Sequence, residues 1–256
     1  MIDLNNYFKI ANEINEKVAR FLLSKFGLGT EIFSKRANHY GIKEDMESNE
    51  MYERYLKEKT PEVSLYTEEG ERNLNDGLVW VVDPIEGTSN YWSGNPFWAT
   101  QIALLHKKEP LLTIVNAPTL KQKFWAVSGS GAFLNDRKIH ISRLEDLEMA
   151  VIDMGRGRKD SDKEWFDKTL TKLSKRTRTF RVFGACGLDI SYCASGITDI
   201  HLNFGSEIYD LLPGALIVRE AGGKVLNFQG NDWSVGDKGF LAANQALAQQ
   251  VLKIIV

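Results

Sequence analysis

Two carboxylates three positions apart, Asp83 and Glu86, flank Pro84 and Ile85 directly after the apolar run Leu78–Val82. The run reads as a strand that stops at Asp83-Pro84, which delivers both acids into a turn stiffened by the fixed φ of proline. Gly87 then permits close backbone approach, and Thr88 opens a helical turn. Hard divalent cations such as magnesium take carboxylate and carbonyl oxygens, which this segment supplies. N–H groups after Gly87 are unpaired donors at a helix start and suit a phosphate oxygen. A plain Asp-Pro turn with solvated acids is the competing reading.

Two more acidic positions stand at element ends. Glu68 and Glu69 follow the apolar run Val63–Tyr66, and Asp210 precedes Leu211-Leu212-Pro213. Taken singly, the glutamates read as a solvated pair and Asp210 as a helix cap. Taken together, acids from the ends of three elements are the set that two metal ions about 4 Å apart require. Without a counter-charge such a set repels itself.

The elements that must carry these residues follow from hydrophobic spacing. Leu4, Phe8, Ala11, Ile14, Val18, Phe21 and Leu22 recur at helical intervals and predict a helix over 3–26, ended by Gly27 and Gly29. A charged helix is predicted over 44–59. From about 97 to 142, apolar runs punctuated by Gly, Pro and Asn-Asp read as hairpins of an antiparallel sheet. Beyond about 144 strands and helices alternate, ending in a helix over 245–255, which reads as α/β. The predicted organisation is an N-terminal α+β part over 1–143, with most of the candidate ligands, and a C-terminal α/β part over 144–256 that contributes Asp210. The candidate site falls in the cleft between them.

Bulk properties narrow the function classes. The chain has 256 residues, 43% hydrophobic and 26% charged, with a formal net charge of −2. That balance fits a globular protein and argues against a general nucleic-acid binder. No apolar run approaches the roughly 18 residues of a membrane span, and the first residues lack a basic-then-apolar leader, so a cytoplasmic protein is expected. Cys186 and Cys193 lie in an apolar stretch and read as buried thiols. His39, His106, His140 and His201 are scattered, which disfavours zinc or Ser-His-Asp chemistry. The basic run Lys175–Arg181 reads as a solvated helix end, and Trp80, Trp92, Trp98 and Trp125 as packing. Arg156 and Arg158 read as solvated loop residues, with a second substrate phosphate as the alternative.

The motifs together resemble the inositol monophosphatase family, a branch of the lithium-sensitive, magnesium-dependent phosphatases. Residues 83–90 resemble its Asp-Pro-Ile/Leu-Asp-Gly-Thr-x-Asn pattern, and Glu68-Glu69 its paired glutamates. Tyr209-Asp210 through Gly214, running on to Glu220–Gly223, resembles its Trp-Asp-x-Ala-Ala-Gly and Glu-Ala-Gly-Gly. Weaker echoes are Gly129–Asn135 and Gly184–Asp189.

The resemblance implies a layered αβαβα sandwich and hydrolysis of a small phosphate monoester. It further implies two or three magnesium ions held by Glu68, Asp83, the Ile85 carbonyl, Glu86 and Asp210, with Glu69 behind them. Thr88 paired with Asp45 would orient and activate the attacking water, and the N–H groups of Gly87 and Thr88 would hold phosphate oxygens. Gly184, Ala185 and Asn203 would face the alcohol part of the substrate. Lithium as an inhibitor and a homodimer are implied by the same resemblance. Glu86, Ile42, Tyr209 and Asn203 stand where the family pattern has Asp, Thr, Trp and Glu. These departures keep other readings open: fructose 1,6-bisphosphate, histidinol phosphate or a 3′-phosphonucleotide as substrate, or a regulatory homologue with little activity.

Overall fold

The computed structural model describes residues 2–36 and 39–255. In chain order the helices are α1 (Leu4–Lys25), α2 (Lys43–Lys59), α3 (Thr88–Ser93), α4 (Asp160–Leu173), α5 (Cys186–Ala194), α6 (Ile208–Glu220) and α7 (Gln245–Ile255). The strands are β1 (Ile32–Arg36), β2 (His39–Ile42), β3 (Ser64–Thr67), β4 (Leu78–Glu86), β5 (Ala99–His106), β6 (Glu109–Ala117) and β7 (Gln122–Val127). They continue with β8 (Gly131–Leu134), β9 (Arg137–Ile139), β10 (Val151–Met154), β11 (Thr179–Arg181), β12 (Ile200–Phe204), β13 (Lys224–Leu226) and β14 (Gly239–Ala243).

A seven-stranded sheet in the order β3-β4-β5-β6-β7-β8-β9 is antiparallel from β4 onward, with β3 parallel to β4. A five-stranded mixed sheet runs β11-β10-β12-β14-β13. The period-2 geometry of β4 explains how layers form on both faces of the first sheet. Val79 and Val81 pack with residues of α5 and α6, whereas Trp80 and Val82 pack with Ile14, Val18 and Leu22 of α1 and Tyr52 and Leu56 of α2. The far side of the second sheet packs against α4 and α7 through Phe166, Leu173, Leu247 and Val251. The layering is αβαβα. Each fully buried aliphatic side chain in these layers contributes about 1.5–3 kcal/mol, so the stack is held chiefly by burial.

Local chemistry sets the element ends. Asp3 accepts from the Asn6 N–H at 3.1 Å and starts α1, and Gly27, at φ 79°, turns the chain away after Phe26.

Three features depart from the sequence reading. First, β4 does not stop at Asp83-Pro84 but runs to Glu86. Asp83 pairs with Gln101 and Glu86 with Ala99, so β4 carries one extra residue there. Such a bulge tolerates a proline, because the ladder is already interrupted. Second, β14 has no counterpart in the expected pattern. It lies between β12 and β13 and is buried throughout, so its residues show no alternation. Third, Asp210 does cap a helix, but from inside it: it is the third residue of α6, and its Oδ2 accepts from the Glu207 N–H at 2.8 Å.

Candidate metal centre

Four acids reach one end of the first sheet from different directions. Glu68 follows β3, tied down where its N–H donates to the Val82 carbonyl at 3.2 Å. Asp83 and Glu86 sit on either side of the β4 bulge, and Asp210 enters from the first turn of α6. Ligand oxygens of Asp83, Glu86 and Asp210 all lie within 4.8 Å of one another. Asp83 and Glu86 are buried, as is Glu68. Glu69 is half-buried beside it.

At that spacing each pair of charges repels by roughly 3–4 kcal/mol at an effective dielectric of about 20. The carboxyl groups respond as expected. Burial first, then the charges of Glu68, Glu86, Asp210 and Asp45, push the Asp83 carboxyl well above the usual carboxylate range. Glu86 is pushed up to about 7, chiefly by burial. Asp210 is raised by burial and by Glu86 and Glu68. Arg158 is exposed, as expected of a loop arginine, but its Nη1 stands 3.8 Å from Glu68 Oε1, which puts positive charge at the rim of the cluster. An all-oxygen donor set of this charge fits a hard divalent cation, and no nitrogen or sulfur ligand competes within the group.

The surrounding residues are local consequences of the bulge. Ile85 N–H donates to Asp83 Oδ1 at 3.1 Å, and Thr88 Oγ1 donates to the Ile85 carbonyl at 3.0 Å. Asp45 is buried in the first turn of α2. Its Oδ2 accepts from the Ile42 N–H at 3.0 Å, and its charge reaches Asp83. Gly87 precedes α3 at φ 85° and ψ 42°, a conformation that favours glycine. A Cβ there would lie 2.9 Å from Ala185 Cβ and 3.3 Å from the Gly184 carbonyl. The loop at 87–88 therefore abuts the loop at 184–185. Asn90 Nδ2 joins them from below, donating to the Phe97 and Phe183 carbonyls at 2.7 and 2.8 Å. Gly87→Ala is expected to cost about 1–2 kcal/mol in urea unfolding from backbone strain alone. Catalytic loss larger than the stability loss would mark the loop as part of the site.

Asn203 is buried on β12, where its Nδ2 donates to Cys186 Sγ at 3.4 Å. Cys186 is half-buried at the start of α5, not sealed in the core as the apolar stretch suggests; Cys193 is buried.

Sequence reasoning missed four participants. Gln101 Nε2 donates to Glu86 Oε2 at 2.9 Å, and the Cys186 N–H donates to Glu86 Oε1 at 2.8 Å. Behind Cys186, His201 Nδ1 meets Asp153 Oδ2 at 2.9 Å, both fully buried. His201 is therefore half of a buried pair rather than a stray histidine. Residues 153 and 201 lie on adjacent strands, so only sheet register joins them.

A model of the inositol monophosphatase family matches residues 3–256. The chain is 31% identical over 211 residues to a fructose-1,6-bisphosphatase/inositol-1-monophosphatase of Thermotoga maritima, covering 82% of this chain and 80% of that protein. It is 33% identical over 257 residues to a putative Nus factor SuhB of Neisseria meningitidis serogroup A, covering 98% and 97%. Among solved structures, the extragenic suppressor protein SuhB of Bartonella henselae matches with a TM-score of 0.91 at 27% identity, over 97% of each chain.

Proposed function

That the chain belongs to the inositol monophosphatase family, whose members are metal-dependent phosphoric monoester hydrolases, is the premise from which we propose its reaction: magnesium-dependent hydrolysis of a small phosphorylated metabolite to an alcohol and inorganic phosphate. The observation that carries the proposal is the convergence of Asp83, Glu86 and Asp210 within 4.8 Å, with Glu68 adding to their charge.

Glu68, Asp83, the Ile85 carbonyl, Glu86 and Asp210 would hold the ions, and Glu69 would support them. Bound there, magnesium supplies charge neutralisation for the phosphate and acidifies water. The protein's own groups do the rest. Thr88 and Asp45 orient the attacking water, with the Thr88 hydroxyl already directed along the loop by the Ile85 carbonyl. Gly87 and Thr88 offer N–H donors to phosphate oxygens. Gly184, with the Ala185 backbone beside it, would face the departing alcohol, whereas Asn203, buried and donating to Cys186 Sγ, would reach it only by turning from that contact. Lithium inhibition, a homodimer and a cytoplasmic location belong to the same proposal.

Phosphate release from a panel of inositol monophosphate, fructose 1,6-bisphosphate, histidinol phosphate and a 3′-phosphonucleotide, under a magnesium titration, tests it. We expect one or more to be hydrolysed at least a hundredfold faster with magnesium than with chelator. No magnesium-dependent release from any of them would count against the reading. The name of the Neisseria relative, a putative Nus factor, favours a second reading: a regulatory protein that retains the fold. A silent wild type whose Glu86→Asp variant gains activity would favour that alternative.

A further inference from the structure

Glu86 is held by more than its own backbone. Gln101, fully buried on β5, donates through Nε2 to Glu86 Oε2 at 2.9 Å and to the Tyr209 carbonyl at 2.7 Å. Both hydrogens of that amide nitrogen are thus committed, one to each of two elements that supply acids to the cluster.

The second bond has a cause in the sequence. In an α-helix the Tyr209 carbonyl accepts from the N–H four residues on, which is position 213. Pro213 has no N–H, so the helix leaves that carbonyl unpaired, and Gln101 takes the place. Room for the amide comes from α5. At Gly187 a Cβ would lie 1.9 Å from Gln101 Oε1 and 3.1 Å from Nε2, so any larger residue would evict the side chain. The second oxygen of Glu86 is fixed from the same helix by the Cys186 N–H. Gln101 Oε1 itself has no partner among the described residues, so this buried side chain is kept in place by its donor end.

We infer that Gln101 is a positioning residue for the metal centre: it locks Glu86 and α6, and with them Asp210, into one cation-binding arrangement, in the space that Gly187 leaves and through the carbonyl that Pro213 frees. The inference rests on the proposed role of Glu86 and Asp210 as ligands. A longer glutamate arm at position 86 needs such a brace, because each added rotatable bond adds ways to miss the ion. Groups that orient a ligand typically contribute tenfold to a hundredfold in metal affinity.

The test is magnesium binding by calorimetry on the full-length protein, alongside thermal unfolding in chelator. Gln101→Met removes the donor at nearly constant volume; Gly187→Ala keeps the donor but displaces it. Each is expected to raise the magnesium Kd at least tenfold while leaving substrate KM at saturating magnesium within about twofold. The double variant should be no worse than the weaker single, since both break one contact. Unchanged magnesium Kd in whichever variant folds, or losses that multiply in the double, would overturn the inference. If wild type itself fails to bind magnesium, the metal-centre reading falls with it; wild-type binding with unaffected variants removes only the role of Gln101.

Discussion

Asp83→Asn is expected to abolish magnesium-dependent hydrolysis, by about a thousandfold or more, while making the metal-free protein more stable. The two effects share one cause. Asp83 is buried among acids, and its carboxyl is pushed up by burial and by Glu68, Glu86, Asp210 and Asp45. Removing its charge relieves repulsion when no cation is present and removes a ligand when one is. Local structure has little reason to change, since the amide oxygen can still accept from the Ile85 N–H as Oδ1 does at 3.1 Å. Phosphate release and thermal unfolding in chelator measure the two halves. A variant that keeps turnover, or that is less stable in chelator, would contradict the site assignment.

The second large effect is a reversal of pH dependence by metal. Glu86 is pushed up to about 7, chiefly by burial, and Asp83 and Asp210 are raised by burial and by their neighbours' charges. For an acid whose folded pKa exceeds its unfolded value, the folded state binds the proton more tightly. Its contribution is then most favourable at low pH and is lost as pH rises from the unfolded value, near 4.5, through the folded one, near 7 for Glu86. In chelator the melting temperature should therefore climb as pH is lowered from about 8 to about 6. Magnesium needs the ionised carboxylates, so protons compete with it and its stabilisation should shrink over the same descent. At pH 8 and a hundred times Kd, linkage predicts about 2.7 kcal/mol, or about 5–10 °C for a chain of this size. Metal-free stability that is flat or rising with pH across that window would refute the picture of a self-repelling acidic cluster.

Much of the fold was legible because burial imposes period. The α1 stripe, the charged α2 and the closing α7 follow from helical spacing, and the hairpins of the first sheet from turn residues. The acid-bearing loop at 83–90 was legible for a different reason: Asp, Pro, Glu, Gly and Thr carry their local chemistry with them. Where period failed, so did the reading. The residues of β14 are buried on both faces and present no alternation, and Pro84 looked like a strand end because a bulge cannot be read from one strand alone.

What the amino-acid sequence determines by itself is the supply of parts: carboxylates at element ends, a glycine where φ must be positive, a proline that withholds one N–H. What the tertiary structure decides is which parts meet. Gln101 touches Glu86 because β4 pairs with β5 in a bulged register, and it touches Tyr209 because α6 packs on that sheet. Asp153 reaches His201 only through the pairing of β10 with β12. Contacts of this kind depend on register and layer packing, which are settled by the burial of many distant side chains at once, so no local pattern of residues encodes them.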